Sequence, residues 1–164
     1  MAKIALLGKA VNTCGDLPAV GSIAPDFTLV NDKLADVTLN TFVGKKKLLN
    51  IVPSLDTPTC AASARKFNET AASMKNTEVL VVSADLPFAQ GRFCEASGLK
   101  NVVTLSTFRS SFANDYGVNI VDSVLAGLTA RAIIVIDEEN NVVYTELVAE
   151  VADEPDYASA VAAL

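Results

Sequence analysis

The residues best suited to covalent chemistry in this chain are three thiols, Cys14, Cys60 and Cys94, and they must work without histidine, because there is none. That absence removes the Cys–His and Ser–His–Asp hydrolase arrangements and every His-ligated metal site. Three cysteines so far apart are too few for a structural zinc site, and an odd number fits a secreted disulfide framework poorly. Cys60 is set apart by its place. It closes the stretch Pro53-Ser-Leu-Asp-Thr57-Pro-Thr-Cys60, between an apolar run and an alanine-rich helical pattern. A cysteine in the first turn of a helix meets unpaired backbone N–H groups and the positive end of the helix dipole, both of which favour thiolate. The alternative at this position is a buried inert thiol.

An ordinary thiol, with a pKa near 8.5, is only about 3% ionised at pH 7, and bringing one to about 6 takes roughly 3.4 kcal/mol. A helix terminus supplies ~0.3–1 kcal/mol, and ~2 kcal/mol in a partly buried site. A fixed cation or strong donors must provide the rest. Arg131 is the candidate cation, because it interrupts a run from Leu125 to Ile136 that is otherwise apolar or small. A guanidinium stays charged, and its planar fork can contact two atoms at once. An arginine there could also bracket a strand end at the surface.

These side chains need elements to hold them. The run Lys47–Val52 reads as a buried strand ended by Pro53. Apolar residues then recur at Cys60, Ala64, Phe67, Ala71 and Met74, steps of four and three that draw one face of a helix. Val79–Val82 is a second buried strand. A helix follows over about Pro87–Ala96, with Asp85 or Ser83 as its cap and Gly98 at its end. Val102–Leu105 reads as a short strand and Thr107–Tyr116 as a short helix. Ala132–Ile136 and Val142–Leu147 form an antiparallel pair, and a last helix starts near Pro155 or Asp156. Upstream, Ile4–Thr13 is a hairpin turning at Gly8-Lys9, and Phe27–Val30 and Val37–Leu39 are short extended pieces. The strand–helix–strand around Cys60 is a βαβ unit, so an α/β fold with a mixed sheet flanked by helices is expected, preceded by the hairpin.

Composition bounds the setting. The chain has 164 residues, 51% hydrophobic and 20% charged, with no repeat or low-complexity linker, which fits one domain over 1–164. A net charge of -6, with basic residues scattered apart from Lys45–Lys47, opposes nucleic-acid binding. No stretch reaches the roughly 20 apolar residues of a membrane helix, and the apolar run Ile4–Leu7 is too short for a signal peptide. A cytoplasmic location is the resulting expectation.

The stretch Pro53–Cys60 resembles the peroxiredoxin pattern P-x-x-x-T-x-x-C. The segments SADLPFAQGRFC, NVVTLSTFRSSF, LAGLTARAIIVID and EPDY are similar to the thiol peroxidase subgroup of that family, an atypical two-cysteine class, so the likeness covers nearly the whole chain. It implies a thioredoxin-like fold and a peroxidase that reduces hydrogen peroxide and alkyl hydroperoxides in antioxidant defence. It implies that Cys60 attacks the peroxide and becomes a sulfenic acid, that Cys94 resolves it as an intrachain disulfide, and that thioredoxin recycles the disulfide. It further implies that Arg131 contacts the sulfur and a peroxide oxygen, that Thr57 hydrogen-bonds the peroxide, and that Pro53 shields the sulfur. A homodimer formed near the active site and the absence of any cofactor belong to the same expectation. Read without the resemblance, Thr57 is a helix cap, Pro53 a strand terminator and Cys94 a core residue. Cys14 matches no motif and is read as a bystander.

Other thiol chemistries fit less well. A disulfide reductase needs C-x-x-C, and Thr57 occupies the first position. A phosphatase cradle needs C-x5-R on a glycine-rich loop, whereas Arg65 comes one residue too early and lies in a helical pattern. The bacterioferritin-comigratory type of peroxiredoxin resolves with a cysteine a few residues after the first, where this chain has Arg65. A non-enzymatic redox sensor would use the same chemistry at Cys60, and turnover with a reductant separates the two.

Overall fold

The computed structural model describes residues 1–164. The chain opens with an antiparallel hairpin of β1 (Lys3–Leu6) and β2 (Lys9–Asn12). Its turn is Leu7-Gly8, one residue earlier than the expected Gly8-Lys9. Both turn residues have positive φ, 52° and 76°, as a type I′ hairpin turn requires. Glycine accounts for one of them; Leu7 is held by a carboxylate described below.

Seven further strands form the main sheet: β3 (Leu29–Val30), β4 (Asp36–Val37), β5 (Lys46–Ile51), β6 (Thr77–Ser83), β7 (Val103–Ser106), β8 (Ala132–Ile136) and β9 (Val142–Leu147). Their spatial order is β4-β3-β7-β6-β5-β8-β9, with β5, β6 and β7 parallel and the remaining pairs antiparallel. The sheet is therefore mixed, as expected. Its central strands are buried on both faces, so they read as nearly continuous apolar runs.

The crossovers β5–α1–β6 and β6–α2–β7 step the same way across the sheet. Right-handed crossovers then place α1 (Pro58–Ala71) and α2 (Pro87–Ser97) on one face. There Phe67 of α1 packs with Leu48, Val79, Ile133 and Val135, and with Ala160 of α4 (Tyr157–Ala162). The Phe67 ring meets Tyr157 edge-on, with centroids 5.1 Å apart. The opposite face presents Leu49, Ile51, Leu80, Val82 and Ile134 to the larger core, which the hairpin, a 3₁₀ turn at Leu39–Phe42 and α3 (Phe112–Asp115) cover. No helix is long and apolar enough to cross a membrane.

Three local readings need correction. The expected helix over Thr107–Tyr116 shrinks to α3, because hydroxyls compete for its backbone: Ser106 Oγ accepts from Phe108 N–H at 3.3 Å and Ser110 Oγ from Phe112 N–H at 3.1 Å. Neither Asp85 nor Ser83 caps α2. Leu86 is the N-cap with Pro87 following, and the Asp85 carboxylate is engaged elsewhere. Helix α1 stops at Ala71, short of Met74, although Met74 still packs beside the Phe67 cluster. Gly98 ends α2 in the left-handed region at φ 65°, as expected.

Candidate active site

Strand β5 delivers the chain to buried Pro53, where the ladder stops, and a short loop leads to α1. The Asp85 carboxylate, just past the end of β6, fixes that loop. It accepts from Ser54 Oγ at 2.7 Å, from Leu55 N–H at 2.8 Å and from Ser83 Oγ at 2.7 Å. On the neighbouring side, Thr129 Oγ1 donates to the Val52 carbonyl at 2.7 Å. Thr57 is the N-cap by backbone geometry, but its hydroxyl donates back to the Ser54 carbonyl at 2.9 Å and does not cap the helix. Pro58 takes the first helical position, where its missing N–H costs nothing. Cys60 is then the third residue of α1, in the turn whose N–H groups have no carbonyl ahead of them.

Cys60 is fully buried and Arg131 is 2% exposed. Arg131 Nη2 donates to Cys60 Sγ at 3.2 Å, and Nε donates to the Val151 carbonyl at 3.0 Å. Nη1 is buried with no hydrogen-bond partner. The ion pairs of the chain, Met1 N-terminus–Asp16, Lys45–Glu78 and Arg109–Asp36, leave Arg131 without a carboxylate. An unpaired buried cation costs several kcal/mol, so this guanidinium is set to hold an anion, with the sulfur as the side chain it touches. A cavity of 230 Å³ opens beside the pair, lined among others by Leu6, Pro53, Thr57, Leu125, Leu128 and Arg131. Its walls are mostly apolar, with Ser54, Thr57, Thr59 and Arg131 as the polar residues of the lining. Pro53, Thr57 and Arg131 thus line one space, and Arg131 links it to the buried Cys60 sulfur.

Cys94 is half-buried on α2. With Phe93 it packs against the cluster formed by Val52, Leu55, Cys60, Ala64, Val81 and Leu99, so both thiols border one apolar layer between α1, α2 and the sheet. Burial pushes the Cys94 thiol up from its ordinary pKa, a hydrogen bond with the Thr104 side chain partly opposes this, and the Asp32 charge adds to the rise. All three cysteines are free thiols. Cys14 sits apart, beyond the hairpin, with Sγ 3.7 Å from the Ala113 carbonyl and 3.9 Å from that of Asn114.

The sequence reading missed the groups that hold the reactive ones. Asp85 carried a signal but was taken for a helix cap. The Val151 carbonyl that orients Arg131, and the Ala152 carbonyl that accepts from Thr59 Oγ1 at 2.9 Å, are main-chain atoms and leave no mark in residue type. Leu6, supplied to the cavity by the hairpin, reads in sequence as an ordinary strand residue.

A mixed sheet with a cysteine at the head of the first crossover helix, facing a buried arginine, defines a thioredoxin-like thiol oxidoreductase. The Redoxin family model matches residues 19–161. The chain is 58% identical to a thiol peroxidase of Mycobacterium bovis over 164 residues, covering 100% of this chain and 99% of that protein. Among solved structures, a peroxiredoxin-like protein from Aquifex aeolicus superposes with a TM-score of 0.94 at 40% identity, covering 99% of this chain and 95% of that one. A thiol peroxidase from Chromobacterium violaceum gives 0.89 at 30% identity, covering 96% and 91%. The chain belongs to the Redoxin family, among its peroxiredoxins of the thiol peroxidase type, and is a peroxidase.

Proposed function

We propose that Cys60 carries the peroxidase chemistry, that Cys94 resolves it, and that Arg131, Thr57 and Pro53 shape the first step. The Cys60 thiolate attacks the terminal oxygen of a hydroperoxide, forming an S–O bond as the O–O bond breaks. Sulfur is oxidised to the sulfenic acid, and the departing alkoxide (hydroxide for hydrogen peroxide) takes a proton and leaves as alcohol or water. The Cys94 thiolate then attacks that sulfur, an S–S bond forms, and the sulfenic oxygen leaves as water. A thioredoxin-type dithiol reduces the disulfide and is itself oxidised.

The observation that carries this reading is the divided guanidinium. Arg131 Nη2 lies 3.2 Å from Cys60 Sγ while Nη1 is buried with no partner, and Arg131 is one of the residues that line the cavity. One donor favours thiolate, and the other is placed for the oxygen on which charge develops, the arrangement that lowers a barrier most when it is preorganised. The Thr57 hydroxyl keeps its lone pairs free while its proton is committed to Ser54, so it can accept from the O–H of an incoming hydroperoxide. Pro53, buried and without an N–H, keeps the cavity wall apolar next to the sulfur. The apolar walls favour an alkyl group on the peroxide alongside hydrogen peroxide itself. A thioredoxin-type reductant, a homodimer, a cytoplasmic setting and one domain over residues 1–164 complete the reading, by likeness to thiol peroxidases.

Single-turnover stopped flow with cumene hydroperoxide, followed by mass spectrometry, tests it. Cys60→Ser is expected to abolish consumption and Cys14→Ser to leave it intact. Cys94→Ser should consume one equivalent, stop at the Cys60 sulfenic acid, and over-oxidise to sulfinic acid with excess peroxide. Equal rates in wild type and Cys60→Ser, or a Cys14–Cys60 bond, would overturn the assignment.

A further inference from the structure

We infer that Glu150 is a positioning residue for the peroxidase step, acting on Arg131 through the Val151 carbonyl and on the cavity wall through the β1–β2 turn. The inference rests on the Cys60–Arg131 reading above and extends it to a residue on neither the thiol's helix nor the strand that follows the arginine.

Few acceptors hold the Arg131 guanidinium. Besides the sulfur, its only acceptor is the Val151 carbonyl, 3.0 Å from Nε. The aim of the guanidinium therefore depends on where Val151 sits. Val151 belongs to no strand or helix, since β9 ends at Leu147 and α4 begins at Tyr157. Its segment is fastened mainly to the N-terminal hairpin. Ala5 N–H donates to the Ala149 carbonyl at 2.7 Å, and Val151 N–H donates to the Ala5 carbonyl at 2.8 Å. These two bonds flank Glu150, which forms a parallel bridge with Ala5.

The Glu150 side chain completes the fastening. One carboxylate oxygen accepts from Leu7 N–H at 3.0 Å, the other from Gly8 N–H at 3.1 Å, and the first also accepts from Ala152 N–H at 3.3 Å. These bonds, the Gly8 contact first, hold the Glu150 carboxyl below its usual range, so it is anionic at neutral pH. The carboxylate thus crowns a turn in which Leu7 is forced to φ 52°, a conformation leucine rarely adopts. Adjacent Leu6 lines the cavity, and Ala152 on the other flank takes the Thr59 hydroxyl from the first turn of α1. One side chain therefore ties together the cavity wall, the acceptor of Arg131 and the start of the Cys60 helix.

The role predicts a coupling that general destabilisation would not produce. Glu150→Ala should lower the second-order rate constant for cumene hydroperoxide by about tenfold, while Glu150→Gln, which keeps one acceptor oxygen, should lose less. The Arg131 Nε–H proton, protected in the wild type by Val151, should exchange faster with solvent in Glu150→Ala by nuclear magnetic resonance. In an Arg131→Ala background, the same Glu150 substitution should change the rate of Cys60 alkylation by iodoacetamide less than it does in the wild type, because the route through the guanidinium has gone. Unaltered Nε–H exchange in folded Glu150→Ala would overturn the inference, as would equal alkylation losses from Glu150→Ala with and without Arg131. The exchange and alkylation measurements need no peroxidase turnover, so they separate failure of this inference from failure of the functional reading.

Discussion

A buried guanidinium with one donor on a sulfur and one donor free is costly unless negative charge arrives, so Arg131, with no carboxylate beside it, is set to receive that charge from outside. A carboxylate would neutralise the cation and compete with thiolate and peroxide for the same fork. Lysine could not substitute. Its ammonium would keep the charge, but it could not hold the Val151 carbonyl and the sulfur along one rigid plane while leaving a third N–H unpaired, the donor proposed above for the peroxide. Arg131→Lys is expected to slow the first turnover by about 10²–10³, the range found when one donor to a developing oxyanion is lost. Arg131→Ala should do at least as much and also slow alkylation of Cys60 by iodoacetamide at fixed pH. Wild-type peroxide kinetics in both variants, measured by stopped flow, would make Arg131 a packing residue. Its candidacy was legible because a single charge in an apolar run needs a reason. Its fastening was not, because the acceptor is a backbone carbonyl twenty residues on.

At the scale of elements, apolar periodicity located most of the frame. The steps Cys60, Ala64, Phe67 and Ala71 predict the buried face of α1, and Phe67 is fully buried between β5, β6, β8 and α4. Strands β5, β6 and β8 lie within two residues of the expected bounds, because buried strands must be apolar whatever their neighbours, and the partly exposed β9 matches its expected bounds as well. The misread parts are those in which a polar side chain chooses between local and distant acceptors. Asp85 sat where a helix cap belongs, yet it bonds the loop before α1. The hydroxyls near Ser106 and Ser110 unwound a segment whose apolar spacing suggested helix. The hairpin turn falls one residue early at Leu7-Gly8, where both amides donate to the Glu150 carboxylate, far away in sequence. Packing of α1 should carry a stability consequence in proportion. Phe67→Ala removes a fully buried ring that joins the sheet to Tyr157, and a loss of about 3–5 kcal/mol is expected in urea unfolding. A loss below about 1 kcal/mol would mean that α4 and the sheet close over the gap.

For the whole molecule, the proposed two steps make opposite demands: the folded form suits the first, and the second would require it to open. Cys60 is fully buried in the first turn of α1, so a thiol can reach its sulfur only if that turn loosens. Cys94 is equally committed. Its carbonyl accepts from Leu99 N–H at 3.0 Å and from Gly98 N–H in the cap of α2, while its side chain packs in the layer shared with Cys60. A disulfide demands Cα atoms within about 7 Å, whereas α1 and α2 run as separate crossover helices on one face of the sheet. Protonation points the same way. Burial holds the Cys94 thiol above its ordinary pKa, so at neutral pH it stays a poor nucleophile until opening exposes it. On the proposed route, opening would bring Cys94 within reach of Cys60 and relieve the burial that holds its thiol above the ordinary pKa. Closing the Cys60–Cys94 loop removes unfolded-state entropy worth about 3.8 kcal/mol in the chain-entropy model, set against the helix turns lost, so the oxidised form need not be the more stable one. Amide hydrogen exchange on the oxidised protein should show faster exchange over Thr59–Ala64 and Phe88–Ser97, while β5, β6 and β8 stay protected. Because those strands are buried beneath both helices, the loss should stop at the helix ends and not spread into the sheet. A mapped Cys60–Cys94 bond with both segments as protected as in the reduced protein would show that the two thiols already meet in the folded form, and the opening step would be abandoned.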